Sequence, residues 1–183
     1  AYSCAFCYVP DLMRKSPHAA GLTAPLHEVV IRRVGAVAAL RKQLTFADGR
    51  PRFTDPHDTR VCYASPLVDV AANLELADET VELCKVILKL THWQIRMLSK
   101  STLLPRIART LSDPSDPSYQ SDAPARIIYG VSTGTLDDGL ARAIEAGTPL
   151  VSKRLESLHW LQDHGYRTFG MICPSLPQTD YKA

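Results

Sequence analysis

Residues 126–172 decide the fold class; they are RIIYGVSTGTLDDGLARAIEAGTPLVSKRLESLHWLQDHGYRTFGMI. The run at 126–131 is rich in β-branched and aromatic residues, which predicts a strand. Two helices and a closing strand are predicted after it, at 136–145, 153–163 and 167–172. A strand, a helical segment and a second strand in this order predict a βαβ unit, in which the two strands are parallel.

The rest of the chain repeats this alternation. Further strands are predicted at 28–34, 60–65 and 94–98. Further helices are predicted at 35–44, 78–90 and 102–111, with Asp78 and Ser101 as the N-caps of the last two. Polar or proline-bearing loops are predicted at 1–22 and 112–124. This pattern predicts an α/β fold with a parallel sheet, in a single domain over residues 1–183.

Folds of this class bind their ligands at the carboxyl ends of the parallel strands. The residues that close the predicted strands are Ser65, Lys100, Ser132 and the pair Cys173-Pro174. A serine at a strand end is more often a turn or capping residue, and a lysine before a helix is usually solvated. Each of these residues is therefore weak evidence when it is taken alone.

Composition excludes several classes of protein. Hydrophobic residues make up 45% of the 183 residues and charged residues 22%, so the chain can bury a core. The net charge of +2 does not support a dedicated polyanion binder. There is no apolar run long enough to span a membrane, and an odd count of 5 cysteines does not suit a disulfide scaffold. We therefore expect a cytoplasmic protein, and, because it begins at Ala1, a segment of a longer one.

The sharpest local motif is CAFCY at residues 4–8. Cys4 and Cys7 are spaced so that one tight loop can present both thiolates to a metal or cluster. A zinc ribbon would need a second such pair, which the sequence lacks. A thioredoxin-like redox pair would precede a helix, whereas a loop is predicted after Cys7. A chance occurrence is the third alternative. The six histidines show no metal-binding spacing, so no metal is assigned to them.

Phe6, directly before Cys7, makes the motif resemble the radical S-adenosylmethionine (SAM) enzymes, whose cluster loop is C-x-x-x-C-x-aromatic-C. The first of their three cysteines would here stand immediately before Ala1. The whole chain is similar to the branch of that superfamily that contains spore photoproduct lyase and the bacterial proteins labelled DNA repair photolyases. The stretches that carry the resemblance are Glu28 to Leu44, Val61 to Asp69, Met97 to Ser101, and Ser132 to Pro174.

The resemblance implies a partial (β/α)6 radical SAM barrel in which Cys4 and Cys7 ligate a [4Fe–4S] cluster. SAM would bind to the open iron and yield a 5′-deoxyadenosyl radical that acts on an unassigned substrate. The resemblance places Ser65, Lys100 and Ser132 in contact with SAM, and Phe6 near the adenine or the cluster. An external electron donor such as a flavodoxin or ferredoxin is implied. A nucleic-acid substrate is implied only by family association, because the near-neutral charge does not support it.

One departure from the family concerns the hydrogen donor. Spore photoproduct lyase uses a cysteine two residues before the strand-exit serine, and Tyr63 stands there in this chain. Cys62 is predicted to point to the opposite face from Ser65. We expect Tyr63 to be a hydrogen relay, Cys84 to lie in the core, and Cys173 to lie in the core or to line the barrel. The alternatives are a CxxC metal-binding or redox module without SAM chemistry, and a degenerate, non-catalytic barrel.

Overall fold

A computed structural model describes residues 3–15, 34–64, 68–174 and 176. Its strands are β1 (Ser3–Cys4), β2 (Val61–Ala64), β3 (Gln94–Ser99), β4 (Ile127–Thr133), β5 (Glu145–Ala146) and β6 (Arg167–Ile172). Its helices are α1 (Val9–Arg14), α2 (Ala36–Leu44), α3 (Leu74–Leu90), α4 (Leu104–Leu111), α5 (Ala123–Arg126), α6 (Asp138–Ile144) and α7 (Val151–Asp163). Among the described residues, no helix is both long and apolar enough to cross a membrane.

The four longer strands form a parallel sheet in the order β2-β3-β4-β6. This confirms the α/β class and the parallel sheet. A two-stranded antiparallel ribbon, β1 with β5, lies outside that sheet. The predicted strand at 28–34 falls almost entirely outside the described residues, so it stays a prediction.

The two faces of the sheet have different environments. On one face, Ile95, Met97 and Tyr129 are buried in a cluster with the apolar stripes of α3 and α4. Cys84 on α3 lies in that cluster, as predicted. The opposite face is open, with the side chain of Tyr63 41% exposed. This arrangement follows from the period of two along each strand, which sends alternate side chains to opposite faces.

Two predicted helix starts are wrong, by about one helical turn in α3 and by two residues in α4. The helix α3 begins at Leu74 because Asn73, not Asp78, is its N-cap and accepts a hydrogen bond from the Leu76 amide. Asp78 lies inside the helix and pairs with Arg106 at 2.9 Å. Ser101 is likewise not the N-cap of α4, although its hydroxyl accepts a hydrogen bond from the Leu103 amide.

Two segments predicted as loops contain regular structure. Within 1–22, the structure has the strand β1 and the helix α1, in which Pro10 occupies the first turn, where its missing N–H costs nothing. The predicted loop at 112–124 ends where α5 begins, at Ala123. The predicted helix at 136–145 also ends one residue early, because Glu145 belongs to β5.

Candidate functional site

The cysteine loop, residues 4–8, is held in place by the β1–β5 ribbon. Cys4 stands opposite Glu145 in the β1–β5 pairing, and the Ala5 amide donates a hydrogen bond of 2.7 Å to the Ile144 carbonyl. The Cys7 amide donates to the Cys4 carbonyl at 3.1 Å, which closes the tight turn expected for this motif. Cys4 is half-buried and Cys7 is exposed. The two thiols therefore belong to one fixed turn.

A short helix follows this turn, which corrects the expectation of a loop after Cys7. The helix α1 begins at Val9 with Tyr8 as its N-cap. A redox pair is expected to precede a helix, so α1 removes that objection to a redox role. The pKa of Cys4 argues against such a role, because burial raises the pKa of this thiol and Lys100 only partly opposes that rise. Redox-active cysteines have lowered pKa values.

Three charged side chains meet beside the cysteine loop, at the carboxyl ends of β3 and β4. The carboxylate of Glu145 is fully buried, with the Lys100 ammonium 2.6 Å from Oε1 and Arg154 Nη1 2.6 Å from Oε2. The Lys100 ammonium also donates to the hydroxyl of Ser132 at 3.3 Å. These contacts join the end of β3, the end of β4 and the ribbon in one cluster.

Arg154, on α7, holds this group of charged and polar side chains in place. Its guanidinium is fully buried and donates to the carbonyls of Pro149 at 2.8 Å and Ser132 at 3.0 Å, and to the Thr148 hydroxyl at 2.5 Å. A planar guanidinium can satisfy this many acceptors at fixed angles, which a lysine ammonium cannot do. Arg154 therefore fixes the end of β4 relative to the segment that follows β5.

A fourth charge holds the backbone at the end of β3. Asp69 accepts hydrogen bonds from the Lys100 amide at 2.7 Å and from the Ser99 hydroxyl at 2.6 Å. The same carboxylate accepts from the Ala71 amide at 2.9 Å. Asp69 thus orders the loop from which the Lys100 side chain extends.

The structure brings most of the predicted site residues together. Phe6 lies with its ring centroid 5.5 Å from the Lys100 ammonium, and Ser132 bonds to the same ammonium. Cys4 lies close enough to Lys100 for the positive charge of the lysine to oppose part of the rise in the pKa of the thiol. Ser65 lies outside the described residues, so its predicted role stays a prediction.

Tyr63 and Cys173, two further residues predicted from the sequence, are both exposed. The Tyr63 hydroxyl is 3.9 Å from the Met171 sulfur, and Cys62 on the same strand packs toward the core, opposite to Tyr63. The opposite orientation of Cys62 and Tyr63 agrees with the strand geometry that we inferred. Cys173 is exposed just after β6, which corrects the expectation of a core position, while the alternative that it lines the barrel stays a prediction.

Sequence reasoning missed Glu145, Arg154 and Asp69. Arg154 had a detectable signal, because it occupies the apolar stripe of α7 between Val151 and Leu158. A charged residue on such a stripe needs a buried partner. Glu145 had no comparable signal, because it lies in a strand of two residues that pairs with a strand far away in the sequence.

The donor set fits two of the three thiolates that a [4Fe–4S] cluster takes from a radical SAM loop. Cys4 and Cys7 lie on one turn next to a cation, a hydroxyl and an aromatic ring, which suit the zwitterionic and aromatic parts of SAM. Among the described residues, no three histidine, cysteine or carboxylate side chains converge on one point. Within these residues, the cysteine pair is therefore the candidate ligand set for such a cluster.

No protein-family model matches the sequence, and no curated protein matches it. Solved structures do match. A spore photoproduct lyase complexed with dinucleoside spore photoproduct has a TM-score of 0.61 and 13% identity, over 94% of this chain and 42% of that chain. A variant of spore photoproduct lyase with the same ligand has a TM-score of 0.61 and 14% identity, and a further variant 0.57 and 12%.

This chain spans less than half the length of those lyase chains. At this level of identity the likeness concerns the fold: the chain has an α/β fold with a parallel sheet that matches part of the spore photoproduct lyase structure. The expected fold class is thereby confirmed. Shared architecture does not fix a shared reaction, so the activity has to be argued from the site.

Proposed function

We propose that this chain is the core of a radical SAM enzyme. Cys4 and Cys7 supply two thiolates to a [4Fe–4S] cluster, and SAM binds between the cysteine loop and the ends of β3 and β4. When both groups are bound, they would supply radical chemistry, in which one-electron reductive cleavage of SAM to methionine would leave a 5′-deoxyadenosyl radical able to abstract hydrogen from the substrate.

One observation carries the proposal. Cys4, at the start of the cysteine turn, pairs with Glu145 between β1 and β5. The Glu145 carboxylate contacts Lys100 at the carboxyl edge of the sheet. A CxxC motif present by chance has no reason to be tied to the edge where parallel α/β folds bind their ligands. The pairing supports the proposal, because Cys4 and Lys100 both lie next to Glu145.

The residues at the edge have separate tasks in this proposal. Lys100 has three donors, of which Glu145 and Ser132 take two in the structure, and the third is available to the SAM carboxylate. Ser132 offers its hydroxyl to the polar end of SAM, and Phe6 covers the site on the side of the cysteine loop. Ser65 is proposed to supply a second hydroxyl.

Tyr63 is proposed as a hydrogen relay on the open face of the sheet. Its ring points away from the core, and its hydroxyl lies near Met171. The expected result for Tyr63→Phe is lost turnover with unchanged SAM cleavage in the absence of substrate. Unchanged turnover in Tyr63→Phe would remove the relay from the proposal, and the SAM site would stand.

The substrate stays unassigned. The matched spore photoproduct lyase holds a dinucleoside spore photoproduct, which makes a nucleic acid the first substrate class to test. The net charge of +2 does not favour a long polyanion, so a short oligonucleotide is the better probe. The proposal also requires an external one-electron donor such as a flavodoxin or ferredoxin.

The test is electron paramagnetic resonance on the full-length protein, purified without oxygen, reconstituted with iron and sulfide, and reduced. We expect a [4Fe–4S] signal that changes when SAM is added. Cys4→Ala and Cys7→Ala are expected to lose the signal. The matched control is Cys62→Ala, which removes a thiol on the core face of β2 and is expected to keep it.

Other outcomes would overturn the proposal in recognisable ways. A colourless protein that binds zinc through Cys4 and Cys7 would favour a structural metal module. A reversible disulfide between these two cysteines, with no cluster, would favour a redox pair. A folded protein that binds neither metal nor SAM would indicate a degenerate barrel.

A further inference from the structure

The charges at the candidate site balance one another among the described residues. Lys100 and Arg154 are the cations that contact Glu145, and Asp69 accepts a hydrogen bond from the Lys100 amide. Two cations and two carboxylates leave no net charge in this group. Glu145 lies at its centre and is the only one of the two carboxylates that contacts both cations.

We propose that Glu145 is a positioning and specificity-determining residue: it holds the Lys100 ammonium at the carboxyl edge and offsets one of the two cations beside it, so that a ligand carrying a sulfonium is preferred over its uncharged thioether counterpart. The inference rests on the proposed function, because it concerns the same SAM site. The Glu145 side chain is fully buried, so its proposed effect on the ligand acts through Lys100 and through its charge.

The positioning role follows from the contacts of Lys100. A lysine side chain has many rotamers, and holding its ammonium in one place requires fixed partners. Glu145 Oε1 at 2.6 Å is the short, charged contact, and Ser132 at 3.3 Å is the weaker one. Arg154 and the pairing with Cys4 hold Glu145 in turn, so the carboxylate is a rigid anchor.

The specificity role follows from the charge of the ligand. SAM and S-adenosylhomocysteine share the amino acid carboxylate and ammonium, and differ by the methyl group that makes the sulfur a cation. Removing the charge of Glu145 strengthens the attraction of the site for the carboxylate of both ligands equally. It also adds repulsion that only the sulfonium feels. The ratio of the two affinities therefore reports on Glu145, whereas a general loss of structure lowers both affinities.

The first experiment measures positioning without any ligand. Acetylation of lysines in the folded protein is followed by mass spectrometry, with the exposed Lys153 as the internal reference. We expect Lys100 to react slowly in the wild type and about tenfold faster in Glu145→Gln, the factor that corresponds to an ion pair worth about 1.4 kcal/mol. Equal rates for Lys100 in the two proteins would overturn the positioning role.

The second experiment compares the binding of SAM and S-adenosylhomocysteine to the reconstituted full-length protein. In Glu145→Gln the ratio of SAM affinity to S-adenosylhomocysteine affinity is expected to fall about tenfold, which corresponds to about 1.4 kcal/mol. Glu145→Asp keeps the charge and is expected to keep the ratio. Glu156→Gln, at an exposed position, is the matched control.

The outcomes separate this inference from the proposed function. A wild type that binds SAM, with a ratio that stays the same in Glu145→Gln, would overturn the specificity role and leave the proposed function standing. A wild type that takes up no cluster and binds neither ligand would overturn the proposed function and the specificity role together. The acetylation rates would still decide whether Glu145 positions Lys100.

Discussion

The replacement Arg154→Met tests whether the buried cluster holds the carboxyl edge together. Arg154 is fully buried and supports this edge through two carbonyls, one hydroxyl and the carboxylate of Glu145. Methionine fills much of the same volume but donates no hydrogen bond. The variant leaves the carbonyls of Pro149 and Ser132 without this donor, and leaves Glu145 with Lys100 as its remaining charged contact.

The expected loss is large for a single substitution. Removing one partner of a buried ion pair costs about 3–5 kcal/mol of unfolding free energy, because a buried charge is left behind. A domain has only about 5–15 kcal/mol in total, so Arg154→Met is expected to be close to unfolding. Arg154→Lys keeps the charge but not the planar fork, so its loss is expected to be smaller.

Urea unfolding followed by the fluorescence of Trp93 and Trp160 measures these losses. Arg142→Met, on the exposed side of α6, is the matched control and is expected to change the unfolding free energy by less than about 0.5 kcal/mol. A loss below about 1 kcal/mol for Arg154→Met would refute the reasoning, because it would mean that the cluster is dispensable. The double variant with Glu145→Gln is expected to lose less than the sum of the single losses.

Three further predictions concern the rest of the molecule. A Cβ at Gly130 would lie 2.3 Å from the ring of Phe169, so Gly130→Ala is expected to cost about 1–3 kcal/mol in urea unfolding, and an added Phe169→Ala to relieve the clash; a Gly130→Ala protein as stable as wild type would contradict this. Hydrogen bonds from Arg60 lower the pKa of Asp58 in the folded protein. The contribution of Asp58 to stability is therefore complete above its pKa in the unfolded chain, about 4, and is lost as the pH falls toward its lower pKa in the folded protein. The urea midpoints of wild type and Asp58→Asn should therefore differ at neutral pH and converge in acid, and equal midpoints at neutral pH would refute the contribution. Burial raises the pKa of Cys84 far above its ordinary range, so iodoacetamide should label the exposed Cys173 and spare Cys84 in the folded protein, as mass spectrometry would show; equal labelling would mean that Cys84 is not in the core.

Most of the sheet could be predicted because its signals are local. The strands β3, β4 and β6 are β-branched or aromatic runs between helices, and all three were placed to within about two residues. Helix ends were harder, because several residues nearby can serve as a cap. In α3 the stretch from Asn73 to Asp78 offers two capping side chains, and packing rather than propensity decides between them.

The site could be predicted only in part, for a different physical reason. Lys100 and Ser132 follow from the rule that ligands bind at the carboxyl ends of parallel strands. Glu145 does not, because its position depends on an antiparallel pairing with Cys4 across most of the chain. Such a pairing leaves no periodic pattern when each strand is two residues long. Glu145, which connects the cysteine turn to Lys100, therefore could not be identified as a site residue from the sequence.

That connection also bears on the choice between a cofactor site and an isolated cysteine pair. A structural metal or a disulfide at Cys4 and Cys7 requires only the local turn, and nothing in it calls for a buried carboxylate bound to two cations. The fold nevertheless holds Lys100, Glu145 and Arg154 together next to the turn, although buried ion pairs give little net stability compared with apolar packing. Under the proposed function, SAM is the ligand that uses these fixed charges. The charged side chains therefore support the proposed function over a free-standing CxxC module.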